Sequence, residues 1–203
     1  YSKALKTDPT RNTVRLKLAQ IFLQQGMFEP AMTQFQDLRT REPNSASAYQ
    51  GIGHVFLLQG KLREAEEALT KAVALDPSSW LSHNLLGLAY DQGQHHGEAI
   101  TAYKKALALR PREPGVLNNL GLALMETGAI DEAIASFNQA LAIQPTYGKA
   151  LYNLGIASIW KGDHTRAMAT YAARRVHDLE RLELCGYVLK KDSPSCGMER
   201  VKV

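Results

Sequence analysis

The stretch Trp80–Glu113, WLSHNLLGLAYDQGQHHGEAITAYKKALALRPRE, decides the fold, because most of the chain repeats its pattern. Counted from Trp80, Leu86 and Gly87 stand seventh and eighth, Tyr90 eleventh, Ala99 twentieth, Tyr103 twenty-fourth, Ala106 twenty-seventh and Pro111 thirty-second. Two apolar runs at helical spacing, parted by a glycine turn and closed by a proline, describe a helical hairpin. Moved on by 34 residues, the frame fits again from Pro114, with Leu120, Gly121, Leu124, Ala133, Phe137, Ala140 and Pro145. Moved back, it fits from Ala46 (Tyr49, Ile52, Gly53, Phe56, Ala65, Leu69, Ala72, Pro77) and from Asn12 (Leu18, Ala19, Phe22, Ala31, Phe35, Leu38, Pro43). Self-similarity at this period predicts a solenoid.

The repeat shapes what composition can mean. With 45% hydrophobic residues the chain can bury a core, but each hairpin touches mainly its neighbours, so that core is linear. The net charge of +4 leans basic, yet both signs alternate along the helices, as in QGKLREAEEALTKAV. A nucleic-acid footprint needs a clustered basic stripe, so no nucleic-acid partner is expected. No apolar run is long enough to cross a bilayer. The opening YSKALKTDP matches the end of a repeat, with Tyr1, Ala4 and Pro9 in the twenty-fourth, twenty-seventh and thirty-second places. The expectation is therefore a chain that starts inside a helix of a longer protein, with its compartment, bacterial cytoplasm or periplasm, left open. The two cysteines, Cys185 and Cys196, lie near the C-terminus and give the array no disulfide framework.

Local chemistry supports the hairpins. First helices stop near Gly26, Gly60, Gly93, Gly128 and Gly162, residues suited to a left-handed turn. Second helices begin near Glu29, Glu64, Glu98 and Asp131, favourable beside a positive helix N-terminus. Each ends at a proline that disfavours helical geometry in the residue before it. The spacing predicts helices over 12–25, 29–41, 46–59, 62–75, 80–92, 96–109, 114–127, 130–143 and 148–161. Gly53, Gly87, Gly121 and Gly155 are expected where Ala65, Ala99, Ala133 and Ala167 bring the second helix close.

On these residues the chain from Tyr1 to about 170 resembles a tetratricopeptide repeat (TPR) array. Its units are a partial repeat over 1–11, repeats over 12–45, 46–79, 80–113 and 114–147, a degenerate fifth over 148–173, and a tail over 174–203. The resemblance implies an all-α, right-handed superhelical solenoid of antiparallel helix pairs with a short non-repeat C-terminal tail. It also implies that first helices line a concave face that binds peptides or partner helices. Departures are Ala19 in place of the glycine, Arg15 and His83 at the usually aromatic fourth place, and Ser158 at the eleventh. The run LGLAYDQGQHHGEAITAYKKALALRPREPGVLNNLGLALMETG is similar to TPR lipoproteins of bacterial tight-adherence pilus assembly. The TPR region of a sugar transferase is another home for such repeats.

The pattern breaks at Arg174, which stands where the twenty-seventh place calls for alanine. Beyond it, GYVLKKDSPSCGMERVKV resembles a stretch of the thiouracil desulfidase-like family, in which the cysteine of SPSCG, here Cys196, ligates an iron–sulfur cluster. The family's other ligands have no counterpart here, and one thiolate cannot hold a cluster. No metal or cofactor is expected.

In the repeat frame, places two, five, six, nine, twelve and thirteen of each first helix face the groove. They give Gln20 and Gln24; Gln50 and His54; Asn84, Leu88 and Asp91; Asn118, Asn119, Leu122 and Glu126; and Lys149, Tyr152 and Asn153, with Leu57, Met125, Ile156 and Trp160 interspersed. Amides both donate and accept, so they can pair with the backbone of an extended peptide whatever its sequence. Asn119 and Asn153, at the same place in successive repeats, resemble the asparagine ladder of some TPR proteins. A carboxylate clamp is not expected, because Lys17 and Lys149 are four repeats apart. His95 and His96 read as a solvated loop, and no catalytic constellation can be placed. The expected function is a non-enzymatic scaffold for a protein or peptide partner; the alternative is a fragment of a sulfur-handling iron–sulfur enzyme or the TPR part of a larger enzyme.

Overall fold

A computed structural model describes residues 11–162, and within them the chain is a succession of α-helices. In order these are α1 (Asn12–Gln24), α2 (Phe28–Arg41), α3 (Ala46–Leu58), α4 (Leu62–Leu75), α5 (Trp80–Gln92), α6 (His96–Leu109), α7 (Pro114–Glu126), α8 (Ile130–Ile143) and α9 (Gly148–Trp160). Each boundary lies within a residue of the one the periodicity predicts. The partial first repeat, Ala167, Arg174, Cys185, Cys196 and the tail lie outside the described residues.

One turn recurs between the two helices of each hairpin. The amides of Met27, Lys61, His95 and Ala129 donate back to the carbonyls of Phe22, Phe56, Tyr90 and Leu124, at 2.8–2.9 Å. This six-to-one bond is the Schellman closure, and it requires a left-handed residue just before the donor. Gly26, Gly60 and Gly128 supply it, with φ of 72°, 72° and 80°. The third hairpin departs from expectation: Gly93 is right-handed at φ −79°, and Gln94 takes the left-handed place at φ 64°. Gln94 stands fifteenth in the frame, as do the other turn glycines, so Gly93 is one residue early. A side chain there is strained by about 1 kcal/mol. Gln94→Gly is therefore expected to raise stability by roughly 0.5–1 kcal/mol, read as a higher urea midpoint at unchanged slope.

Packing follows the frame. The twenty-fourth-place side chains Phe35, Leu69, Tyr103 and Phe137 are almost wholly buried, and so are Ala31, Ala65, Ala99 and Ala133. Each large side chain lies against a glycine. A Cβ built on Gly87 would stand 2.5 Å from the Tyr103 ring, one on Gly53 would stand 2.5 Å from Leu69, and one on Gly121 would run into Phe137. The small eighth place thus makes room mainly for the twenty-fourth-place side chain, a correction to the expectation that Ala99 and Ala133 set the approach. In the first repeat Ala19 fills the eighth place, and the Phe35 ring packs on Gly51 of the next hairpin.

Two buried polar residues occupy the usually aromatic fourth place. The Arg15 guanidinium donates from Nη1 to Gln34 at 2.9 Å and to Asp37 at 3.0 Å. His83 donates from Nε2 to the Pro77 carbonyl at 3.0 Å. Both departures from the repeat pattern thereby find polar partners inside the fold.

Contacts between hairpins are one-sided. Successive first helices touch one another: α1 with α3, α3 with α5, α5 with α7, and α7 with α9. Among the described residues, successive second helices do not. First helices therefore crowd the inner side of a curved stack and second helices spread on the outer side, an all-α solenoid with a concave face built by α1, α3, α5, α7 and α9.

Candidate functional site

The concave face holds a groove of about 560 Å³ where α1, α3 and α5 adjoin. Gln20 and Gln24 of α1 and Ser47, Gln50 and His54 of α3 supply its polar wall. Leu23, Leu58 and Leu81 supply apolar surface, with Gly51 and the edge of Phe35 completing the lining. Four of the groove residues expected from the sequence, Gln20, Gln24, Gln50 and His54, are thus brought together.

Gln50 is half spent. Its Oε1 accepts from Ser82 at 2.9 Å and lies 3.2 Å from the hydroxyl of Ser79, which also caps α5 by accepting from the Ser82 amide. What Gln50 has left for a ligand is its NH2, a donor. His54 is partly buried, and that desolvation alone pushes its pKa below the ordinary 6.5.

The other predicted residues lie further along the stack. Asn84 is half-buried, and its Oδ1 is shielded from solvent without a hydrogen bond. Leu88 packs against the core, and Asp91 Oδ1 lies 2.7 Å from His96 Nδ1. His96, expected in a solvated loop, is instead the first residue of α6 and ties that helix to α5; His95 is exposed as expected. Asp91 also faces the wholly buried Tyr103, whose hydroxyl is pushed far up in pKa first by burial and then by that carboxylate. Asn118 is only 2% exposed, and its Oδ1 accepts from Asn153 Nδ2 at 2.8 Å. This amide pair joins the fourth and fifth repeats and leaves less for a ligand than the ladder reading implied. Asn119 and Leu122 are half-buried, whereas Lys149 and Tyr152 are exposed.

Ser47, Gly51, Leu23, Leu58 and Leu81 were missed as individual residues. Their signal was present, since they stand at places two, six, twelve, thirteen and two of the same frame. Leu57 and Met125, at place twelve, are instead buried in the core at 6% exposure. Among the described residues no helix is long and apolar enough to cross a membrane, and no group of three or more His, Cys, Asp or Glu could hold a metal ion.

Hairpins at a fixed period, small eighth and twentieth places and a concave face of first helices define a tetratricopeptide repeat array. A family model described as the Cilia and flagella-associated protein 70 C-terminal domain matches residues 1–183, and the chain belongs to that family. Solved structures with the same fold include MamA from Desulfovibrio magneticus RS-1, at 20% identity and TM-score 0.74 over 86% of this chain and 97% of that one. TTC0263, a thermophilic TPR protein of Thermus thermophilus, matches at 24% identity and TM-score 0.67, over 78% of this chain and 87% of that one. YrrB, described as a TPR protein with an unusual peptide-binding site, matches at 19% and TM-score 0.69, over 91% of this chain and 94% of that one. At these identities the likeness establishes the fold alone. Comparison with curated protein sequences gives no match.

Proposed function

We propose that the chain is a non-enzymatic interaction scaffold that holds a segment of a partner protein on its concave face. The observation that carries this reading is the groove between α1, α3 and α5. It is open, sits where the stack curves inward, and mixes amide and hydroxyl groups with apolar surface. Such a lining suits polypeptide, whose backbone needs donors and acceptors and whose side chains need apolar seats. The peptide-binding site of YrrB is in keeping with it.

The test is selection of peptides from a random library on the immobilised chain, followed by affinity measurement on variants. Leu58 lines the groove and is 48% exposed, so Leu58→Asp spares the core while placing a charge in the apolar wall. Selected peptides are expected to lose about tenfold or more in affinity for Leu58→Asp, from desolvating an unpaired carboxylate. They should bind unchanged to Leu109→Asp, a comparably exposed site on the second helix α6. Equal loss in both variants, or none in either, would contradict the groove reading.

A further inference from the structure

The groove lining carries no formal charge while His54 is neutral. Its polar groups are the amides of Gln20, Gln24 and Gln50, the hydroxyl of Ser47 and the His54 imidazole. This is unusual placement in a chain with 22% charged residues, and the neighbouring helices show how it arises. On α1, Arg15 turns to Gln34 and Asp37, and Lys17 is exposed outside the lining. On α2, Glu29 accepts from Gln59, Asp37 holds Arg15, and Arg39 and Arg41 are exposed at its far end. On α5, His83 bonds the Pro77 carbonyl and Asp91 pairs with His96. On α3 the other titratable side chain, Tyr49, is outside the lining, and the Glu, Arg and Lys residues of α4 and Tyr90 of α5 lie outside it too. His54 is thus the one titratable group among the lining residues, and no carboxylate in that lining faces it.

Resting on the peptide-binding reading above, we infer that this groove takes an extended, uncharged polypeptide segment bearing an apolar side chain, and that protonation of His54 releases it. An extended segment fits better than a helix. The amide nitrogen that Gln50 has free must donate to a carbonyl, and helical carbonyls are already bonded within the helix. Leu23, Leu58 and Leu81 seat an apolar side chain, and the lining holds no cation to anchor an acidic one or a terminal carboxylate. An occupant of this kind displaces the water that would hydrate an imidazolium and brings no counter-charge. Proton and occupant therefore oppose each other, each weakening the other's binding by the same factor. Burial already favours the neutral ring in the empty groove, so the effect falls below pH 6.5.

The test uses N-acetylated, C-amidated peptides selected at about pH 7.5, with fluorescence anisotropy on wild type and His54→Gln down to about pH 5, a range that spans ordinary histidine titration. Selected sequences are expected to be poor in Asp, Glu, Lys and Arg. Wild-type affinity is expected to fall severalfold on acidification, while His54→Gln, which keeps an amide-sized polar group but cannot titrate, stays flat. Circular dichroism at each pH confirms that both proteins remain helical. Selection of acidic peptides that bind more tightly in acid, or an equal fall in His54→Gln, would overturn the inference while leaving the groove reading intact. Failure to select any peptide sensitive to Leu58→Asp would overturn both.

Discussion

Gly121→Leu is expected to lower the thermal midpoint by roughly 3–10 °C, from a loss of about 1–3 kcal/mol. Gly121 lies on α7 with the Phe137 ring against its Cα, and even a methyl at that position runs into the ring. Phe137 is 0% exposed and belongs to a cluster that includes Tyr103, Leu117, Leu124 and Leu151, so the ring has nowhere to go. Leucine is the better helix former by about 0.8–1 kcal/mol, but overpacking outweighs that gain. Gly97 is the control. It sits in the first turn of α6 with nothing within 4 Å of a built Cβ, so Gly97→Ala should be neutral or slightly stabilising. An unchanged midpoint for Gly121→Leu would refute the close approach at the eighth place.

The larger loss is expected from Phe137→Ala, about 3–5 kcal/mol, because truncation leaves a cavity among side chains from several helices of three successive hairpins. In a linear array such a loss weakens the coupling of the hairpins on either side as well as one local core. The thermal transition of Phe137→Ala is therefore expected to broaden or split, whereas Gly121→Leu shifts it. The two sites should also be coupled. Gly121→Ala combined with Phe137→Leu is expected to be more stable than the sum of its parts by about 0.5–3 kcal/mol, since the smaller side chain makes room for the new methyl. Strict additivity would show that these two residues do not share the contact seen here.

What the sequence disclosed, and what it withheld, follows from the range of the interactions. Helix bounds, turn positions and the buried twenty-fourth place depend on residues three to four apart or one period apart, and the frame displays both. The exchange of roles between Gly93 and Gln94 was obscured because glycine is the natural choice for a left-handed turn. Only its fourteenth place in the frame betrays it. Ala99 and Ala133 looked like the closest approach because they are small, whereas the rings of Tyr103 and Phe137 are what meets Gly87 and Gly121.

The groove was half legible for a similar reason. Gln20, Gln24, Gln50 and His54 followed from their places on the first helices. The bonds Ser82–Gln50, Asn153–Asn118 and His96–Asp91 did not, because they depend on how one helix is set against another. Polar side chains that looked available in the sequence are partly committed to holding neighbouring helices together. The groove between α1, α3 and α5 is what remains once those commitments are counted.

Site-specific photo-crosslinking tests the concave-face reading most directly, with a benzophenone side chain placed at Gln24 in the groove or at Lys104 on the outer helix α6. Both residues are exposed, so neither replacement disturbs the core. Peptides selected on the wild-type chain are expected to form adducts from position 24 and not from position 104, with Leu58→Asp abolishing the adduct. Adducts from position 104 alone, or equally from both, would place recognition on the outer helices and contradict it.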